Sequence, residues 1–242
     1  MTVTTDKAQV VKYAATLTGV RDVALRGTAD LSYWTDRLLA ERLVPVDREG
    51  YADVTVMAVA GKFRGLAFRE LSISVAARTI ENGGGAGAFL VHAYNSSRLL
   101  ALAERTLFST PYYYARIHLE TRPAQFRLVK DGSQQLAARR ADEGAGQAPE
   151  PATNCENDFV GPIFLPGSPR RPNAGGLFFL ARLVGHARTY VHRADRDTFD
   201  FEPAKSEPGL RDLVDSGFSP RAWSVREDAV HARSKTFRRR LG

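Results

Sequence analysis

Side chains able to do chemistry recur at every second position after Pro111. Tyr112, Tyr114, Arg116, His118 and Glu120 fall on one side of an extended chain, and Tyr113, Ala115, Ile117 and Leu119 on the other. Successive strand residues point to opposite faces, so the polar set forms one face and the apolar set the other. The same alternation groups Glu70 with Phe68, Ser72 and Ser74, and His92 with Ala88, Leu90 and Tyr94. If these faces line a cavity, they supply a carboxyl group, two phenols, a guanidinium and imidazoles. A carboxyl group in apolar surroundings has a raised pKa and can act as a general acid or base. Tyr112 can stabilise developing oxyanion charge, and Arg116 can grip a substrate carboxylate with two parallel hydrogen bonds. Each residue also has a plainer use. Glu70 follows Arg69 and can be an ion-pair partner, Tyr112 and Tyr114 can be core aromatics, Arg116 a salt-bridge residue, and His92 and His118 ordinary strand histidines.

Other chemistries find no support. His186, His192 and His231 have no companions at metal-ligand spacing, and the single cysteine, Cys155, excludes a cysteine-rich metal site and an internal disulfide. There is no G-x-S-x-G elbow, no P-loop and no H-E-x-x-H. Gly83–Gly85 is not followed by a helical pattern, so it reads as a turn rather than a dinucleotide fingerprint. No cofactor and no metal are expected.

The elements that must position these residues are mostly strands. A short helix is expected over Ala8–Leu17, and a second over Leu31–Leu43, where Leu31, Trp34 and Leu38 share a face and Pro45 stops the pattern. From there the period is two. Ala52–Ala60, Leu66–Arg78 and Ala86–Tyr94 read as strands, the last two joined by the turn Asn82–Gly85. A helix over Arg98–Phe108, with Leu99, Leu100, Ala103 and Leu107 on one side, precedes the strand Tyr112–Arg122. Strand character continues at Phe126–Val129, Gln134–Arg139, Leu177–Leu183 and Ala187–His192, with turns at Asp131-Gly132 and near Asp195. Residues 141–158 and 166–176 read as surface loops.

The 242 residues, 43% of them hydrophobic, fit one domain over 1–242 with a real core. No apolar run is long enough to span a membrane, the N-terminus does not read as a signal peptide, and the lone cysteine points to the cytoplasm. The net charge of +7 is concentrated in Arg233, Lys235, Arg238, Arg239 and Arg240, which reads as a solvated basic tail over 233–242. No nucleic-acid motif accompanies it, so nucleic-acid binding is not expected.

One ordered set of motifs carries a resemblance. Phe68-Arg69-Glu70-Leu71, Gly87-Ala88-Phe89-Leu90, the segment Arg98-Leu99-Leu100-Ala101 through Phe108, and Pro111-Tyr112-Tyr113-Tyr114-Ala115 follow one another as they do in uncharacterised proteins related to acetoacetate decarboxylase. The chain resembles that superfamily over roughly residues 31–200, most strongly over 66–122. The resemblance implies a mainly β (α+β) fold, with curved antiparallel sheets closing into a barrel-like cavity and short helices outside, in a homo-oligomer. In acetoacetate decarboxylase a lysine after the junction proline forms an imine with the β-keto acid, a second lysine depresses its pKa, and a glutamate faces it. Glu70 matches that glutamate and Pro111 that proline, but Tyr112 and Tyr113 stand at the lysine positions. Imine formation needs a primary amine, and no lysine lies between Lys62 and Lys130. The expected function is therefore cofactor-independent acid–base chemistry on a carbonyl-bearing, polyketide-like small molecule: cyclisation, dehydration or decarboxylation. Glu70 and Tyr112 would be catalytic, with Arg116, Tyr114, His92 and His118 binding substrate. The alternative is a small-ligand binding protein that uses the same cavity without turnover.

Overall fold

The computed structural model describes residues 11–80, 85–141, 158–167, 176–203 and 207–239. Cys155, Arg240, the turn residues Asn82–Gly84 and most of the two expected surface loops lie outside them. The first half holds β1 (Tyr13–Asp30), α1 (Leu31–Leu39), β2 (Leu43–Pro45), β3 (Asp47–Arg48), β4 (Tyr51–Phe63), β5 (Leu66–Thr79), β6 (Ala86–Asn95) and α2 (Arg98–Leu107). There follow β7 (Tyr112–Tyr114), β8 (Arg116–Thr121), β9 (Ala124–Lys130), β10 (Ser133–Arg139), β11 (Phe159–Phe164), β12 (Leu177–Val184), β13 (Arg188–Val191), β14 (Thr198–Phe201), α3 (Pro208–Asp215) and β15 (Ser219–Arg238).

Seven strands close into a ring in the order β5, β4, β1, β15, β12, β11, β6 and back to β5. Pairing is antiparallel except where β6 meets β11, so the barrel is mixed rather than purely antiparallel. A second sheet, β14-β10-β9-β8, packs on the outside of this ring. The main core lies between the two. Val54, Val56 and Ala58 from β4 and Leu71 and Ile73 from β5 meet Ile117, Phe126 and Leu128, all less than 4% exposed. Strand alternation then sends the other side of β4 and β5, including Met57, Val59 and Glu70, into the barrel lumen. The parallel closure depends on Gly87, where a Cβ would sit 2.2 Å from the Pro162 carbonyl oxygen.

Local rules explain several elements and correct others. Asp30 caps α1, its side chain accepting from the Tyr33 amide at 2.6 Å, and Trp34 and Leu38 are fully buried as their spacing requires. The helix ends at Leu39, short of the expected Leu43. Arg42 takes a left-handed conformation (φ 53°), and Leu43 turns into the sheet opposite Thr79, fully buried. Asp131 and Gly132 both have positive φ, the requirement of a two-residue hairpin turn. Of the helix expected over Ala8–Leu17, residues 8–10 lie outside the described residues, and Tyr13–Leu17 are instead the start of β1, held over Tyr13–Thr28 by pairing with β15. The basic run expected as a solvated tail is largely the end of β15. Arg233 points inward, and Arg239 Nη2 donates to the Glu41 carbonyl at 2.7 Å. Charge counting missed a period-two pattern, in which His231, Arg233 and Lys235 alternate with small residues.

Candidate active site

The barrel lumen is a cavity of about 510 Å³, to which all seven ring strands contribute, with α2 lying across it. This is the size of a small-molecule site. Its wall is mostly apolar, with Leu17, Val59, Phe68, Leu90, Ile163 and Phe179 from six of the strands. Helix α2 begins at Ser97, whose hydroxyl accepts from the Leu100 amide, and buries only Ala101 in the body of the fold. Leu100, Ala103, Glu104 and Leu107 contribute to the cavity, while Leu99, expected on that face, is 68% exposed.

Polar side chains from β5, β7, α2 and β15 converge across the lumen. The Tyr112 hydroxyl donates to Glu70 Oε1. Glu104 Oε2 accepts from Thr110 Oγ1 at 2.7 Å and from Arg233 Nη1 at 2.6 Å. The Arg233 guanidinium lies over the rings of Phe179, at 4.2 Å, and Phe108, at 4.7 Å. Its Nε and Nη2 are buried and have no hydrogen-bond partner among the described residues. Burial pushes the Glu70 carboxyl up to about 7. The Tyr112 hydrogen bond opposes this, the Glu104 charge adds to it and Arg233 counters it. Glu70 is part-buried and lines the lumen among apolar walls, where its charge gains little from bulk water. Burial, then the neighbouring Glu70 and Glu104 charges, hold Tyr112 well above the usual phenol range, so it remains a donor. A carboxyl group that changes protonation near neutral pH, hydrogen-bonded to a neutral phenol at an apolar wall, can exchange protons with a bound molecule.

Of the six residues expected at the site, Glu70 and Tyr112 meet in the cavity and the other four do not line it. The strand expected over Tyr112–Arg122 breaks at Ala115. β7 pairs in parallel with β6 in the barrel sheet, while β8 belongs to the outer sheet. The apolar face Ala115, Ile117 and Leu119 is what the core takes, so Arg116 and His118 project outward and are exposed. Tyr114 is 36% exposed beneath the Arg98 guanidinium. His92 is displaced by a bulge. Ser74 pairs with Leu90 but Ile73 with His92, leaving Val91 as the extra residue, so Leu90 faces the lumen and His92 the other side. There His92 stacks flat on Tyr113 at 4.8 Å and packs against Tyr94 and Gly209. Burial holds its pKa down at about 4, against the Glu207 carboxylate, which raises it, and with Lys130, which lowers it. Glu104, Arg233 and His231 were missed, because their partners lie far away in the chain.

Solved structures with this architecture are acetoacetate decarboxylase relatives. Acetoacetate decarboxylase from Legionella pneumophila superposes with a TM-score of 0.60 at 10% identity, over 100% of this chain and 94% of its own. The chain has an acetoacetate decarboxylase-like fold. The enduracididine biosynthesis enzyme MppR, solved with the condensation product of pyruvate and imidazole 4-carboxaldehyde, gives 0.58 at 12% identity over 94% and 90% of the two chains. An acetoacetate decarboxylase-like enzyme from Sphingomonas wittichii RW1 gives 0.55 at 14% identity, over 98% of each chain. No family model and no curated protein matches the sequence. In this chain's version of the fold, no lysine is among the described residues lining the lumen, and Tyr112 occupies the wall facing Glu70. Among the described residues no cluster of histidine, cysteine or carboxylate side chains could hold a metal, and no helix is long and apolar enough to cross a membrane.

Proposed function

We propose that the protein is an enzyme that moves protons on a carbonyl-bearing small molecule bound in the barrel lumen, without imine formation. The observation that carries this reading is the Tyr112–Glu70 hydrogen bond at the cavity wall, with the carboxyl group held near neutrality. Glu70 is the proton shuttle. On substrate binding the Tyr112 hydroxyl turns from Glu70 to the carbonyl oxygen and donates its one proton there as negative charge develops, which lowers the cost of forming an enolate. Arg233, rather than the outward-facing Arg116, is the cation at the lumen wall, where its charge favours an acid group of the substrate. MppR was solved with pyruvate, which supports oxo acids as the first compounds to try. A ligand carrier with no turnover needs apolar walls alone, and a titratable pair facing the ligand favours the enzyme.

The test is exchange of α-protons for deuterium in pyruvate, 2-oxobutanoate and acetoacetate, followed by NMR. The protein should accelerate exchange in at least one of them. Glu70→Gln should slow it by about 10²- to 10⁴-fold while the fold survives, the range for losing one acid–base group. Equal rates in the two proteins, with the same pH profile, would remove Glu70 from the mechanism.

A further inference from the structure

The lumen holds a second pair of groups that the Glu70–Tyr112 chemistry does not use. His231 lines the cavity two residues before Arg233 on β15, about 7 Å along the strand from it. Its Nε2 lies 3.0 Å from Oδ2 of Asp22 on β1. Asp22 has no exposed surface, and Arg226 Nη1 reaches its two oxygens at 3.3 and 3.4 Å. A carboxylate oxygen accepts hydrogen bonds, so this contact favours the tautomer with the imidazole proton on Nε2. The other nitrogen, Nδ1, then carries a free lone pair. It makes no hydrogen bond among the described residues, and the His231 side chain is part-exposed and lines the lumen.

Ring topology sets where this lone pair stands. β5 and β15 are separated by β4 and β1 one way round the barrel and by β6, β11 and β12 the other way. Glu70 and His231 therefore come from strands on opposite sides of the ring, and both line the lumen.

We propose that His231 is a second catalytic residue, a general base across the lumen from Glu70, with Asp22 as its positioning residue; this rests on the Glu70–Tyr112 reading. His231 Nδ1 takes the α-proton of a substrate that bears a carbonyl group and an acid group. The C–H electron pair passes into the enolate, whose oxygen receives the Tyr112 hydroxyl. Protonated Glu70 returns a proton to carbon on the opposite face. His231 ends protonated and Glu70 ionised, and exchange with water resets both. No oxidant, reductant or leaving group is needed. The reaction class is proton relocation, either inversion at the α-carbon or shift of a double bond.

Two measurements test this. The first is the imidazole ¹⁵N spectrum of the labelled wild-type protein near neutral pH. His231 should be neutral, protonated on Nε2 and bare at Nδ1, and Asp22→Asn should mix the two tautomers. A doubly protonated His231 ring overturns the proposal without any substrate. The second is the deuterium exchange described above, with melting curves for each variant. His231→Gln should lose about 10²- to 10⁴-fold in exchange and lose the limb of the pH profile that reports a base. If Glu70→Gln loses exchange while His231→Gln keeps the wild-type rate and profile, this inference fails and the Glu70 reading stands. If the wild-type protein exchanges none of the three acids, the proton-transfer roles of both residues fall together. If His231→Gln does not fold, the wild-type spectrum decides.

Discussion

Replacing Glu70 with glutamine should stabilise the protein above neutral pH, and the gain should disappear in acid. The Glu70 carboxyl titrates at about 7 in the fold against 4.5 unperturbed. Below pH 4.5 both folded and unfolded chains carry it protonated, and folding costs nothing extra. Between 4.5 and 7 the unfolded chain gives up its proton and the folded chain keeps it, so stability falls as pH rises. Above 7 the full cost is present. At 1.36 kcal/mol per pH unit, the gap between 4.5 and about 7 is worth about 3 kcal/mol. The charged and titratable groups around Glu70 are Tyr112 from β7, Glu104 from α2 and Arg233 from β15. Their influence is contained in the shift. Glutamine accepts the Tyr112 hydroxyl as well and never ionises, so the variant lacks this pH dependence. Urea denaturation of both proteins from pH 4 to pH 9 measures it. The difference in unfolding free energy should grow from near zero to about 3 kcal/mol in favour of Glu70→Gln. Parallel curves would mean that the carboxyl is not desolvated, and the argument for a proton shuttle would lose its physical basis.

Borohydride added to the protein with a β-keto acid should leave no reduced adduct on a lumen residue, since no lysine is among the described residues lining it; an adduct found there by peptide mass mapping would refute this. Arg233→Gln should raise KM for an acid substrate by about tenfold to a hundredfold, the worth of a hydrogen bond to a charged group. Arg116→Ala, an exposed outward position, should leave kcat and KM unchanged, and steady-state kinetics on the two variants check both statements. Gly87→Ala should cost about 1–3 kcal/mol or more in chemical denaturation, because the new Cβ meets the Pro162 carbonyl where β6 closes on β11. A stability equal to wild type would show that the parallel closure is looser than described.

Much of the scaffold can be read from local pattern. Period-two runs mark β4, β5 and β6, a capped amphipathic stretch marks α2, and Asp131-Gly132 marks a hairpin. Glu70 and Tyr112 are legible for the same reason. Each lies in a short, strongly patterned segment, and the two are only 42 residues apart. Alternation is a local rule, however, and one irregular residue reverses it. The extra residue Val91 turns His92 out of the lumen, and the break at Ala115 hands Arg116 and His118 to another sheet. Ring closure is not local at all. Arg233 reaches Glu104 across 129 residues and His231 reaches Asp22 across 209, because β15 comes to lie between β1 and β12. The sequence by itself thus determined the strongly alternating strands, β4, β5 and β6 among them, and which residues can ionise, but not β1 or β15. The tertiary structure alone decided which of those residues share a wall and which lose their water, since both follow from the order in which the strands pair.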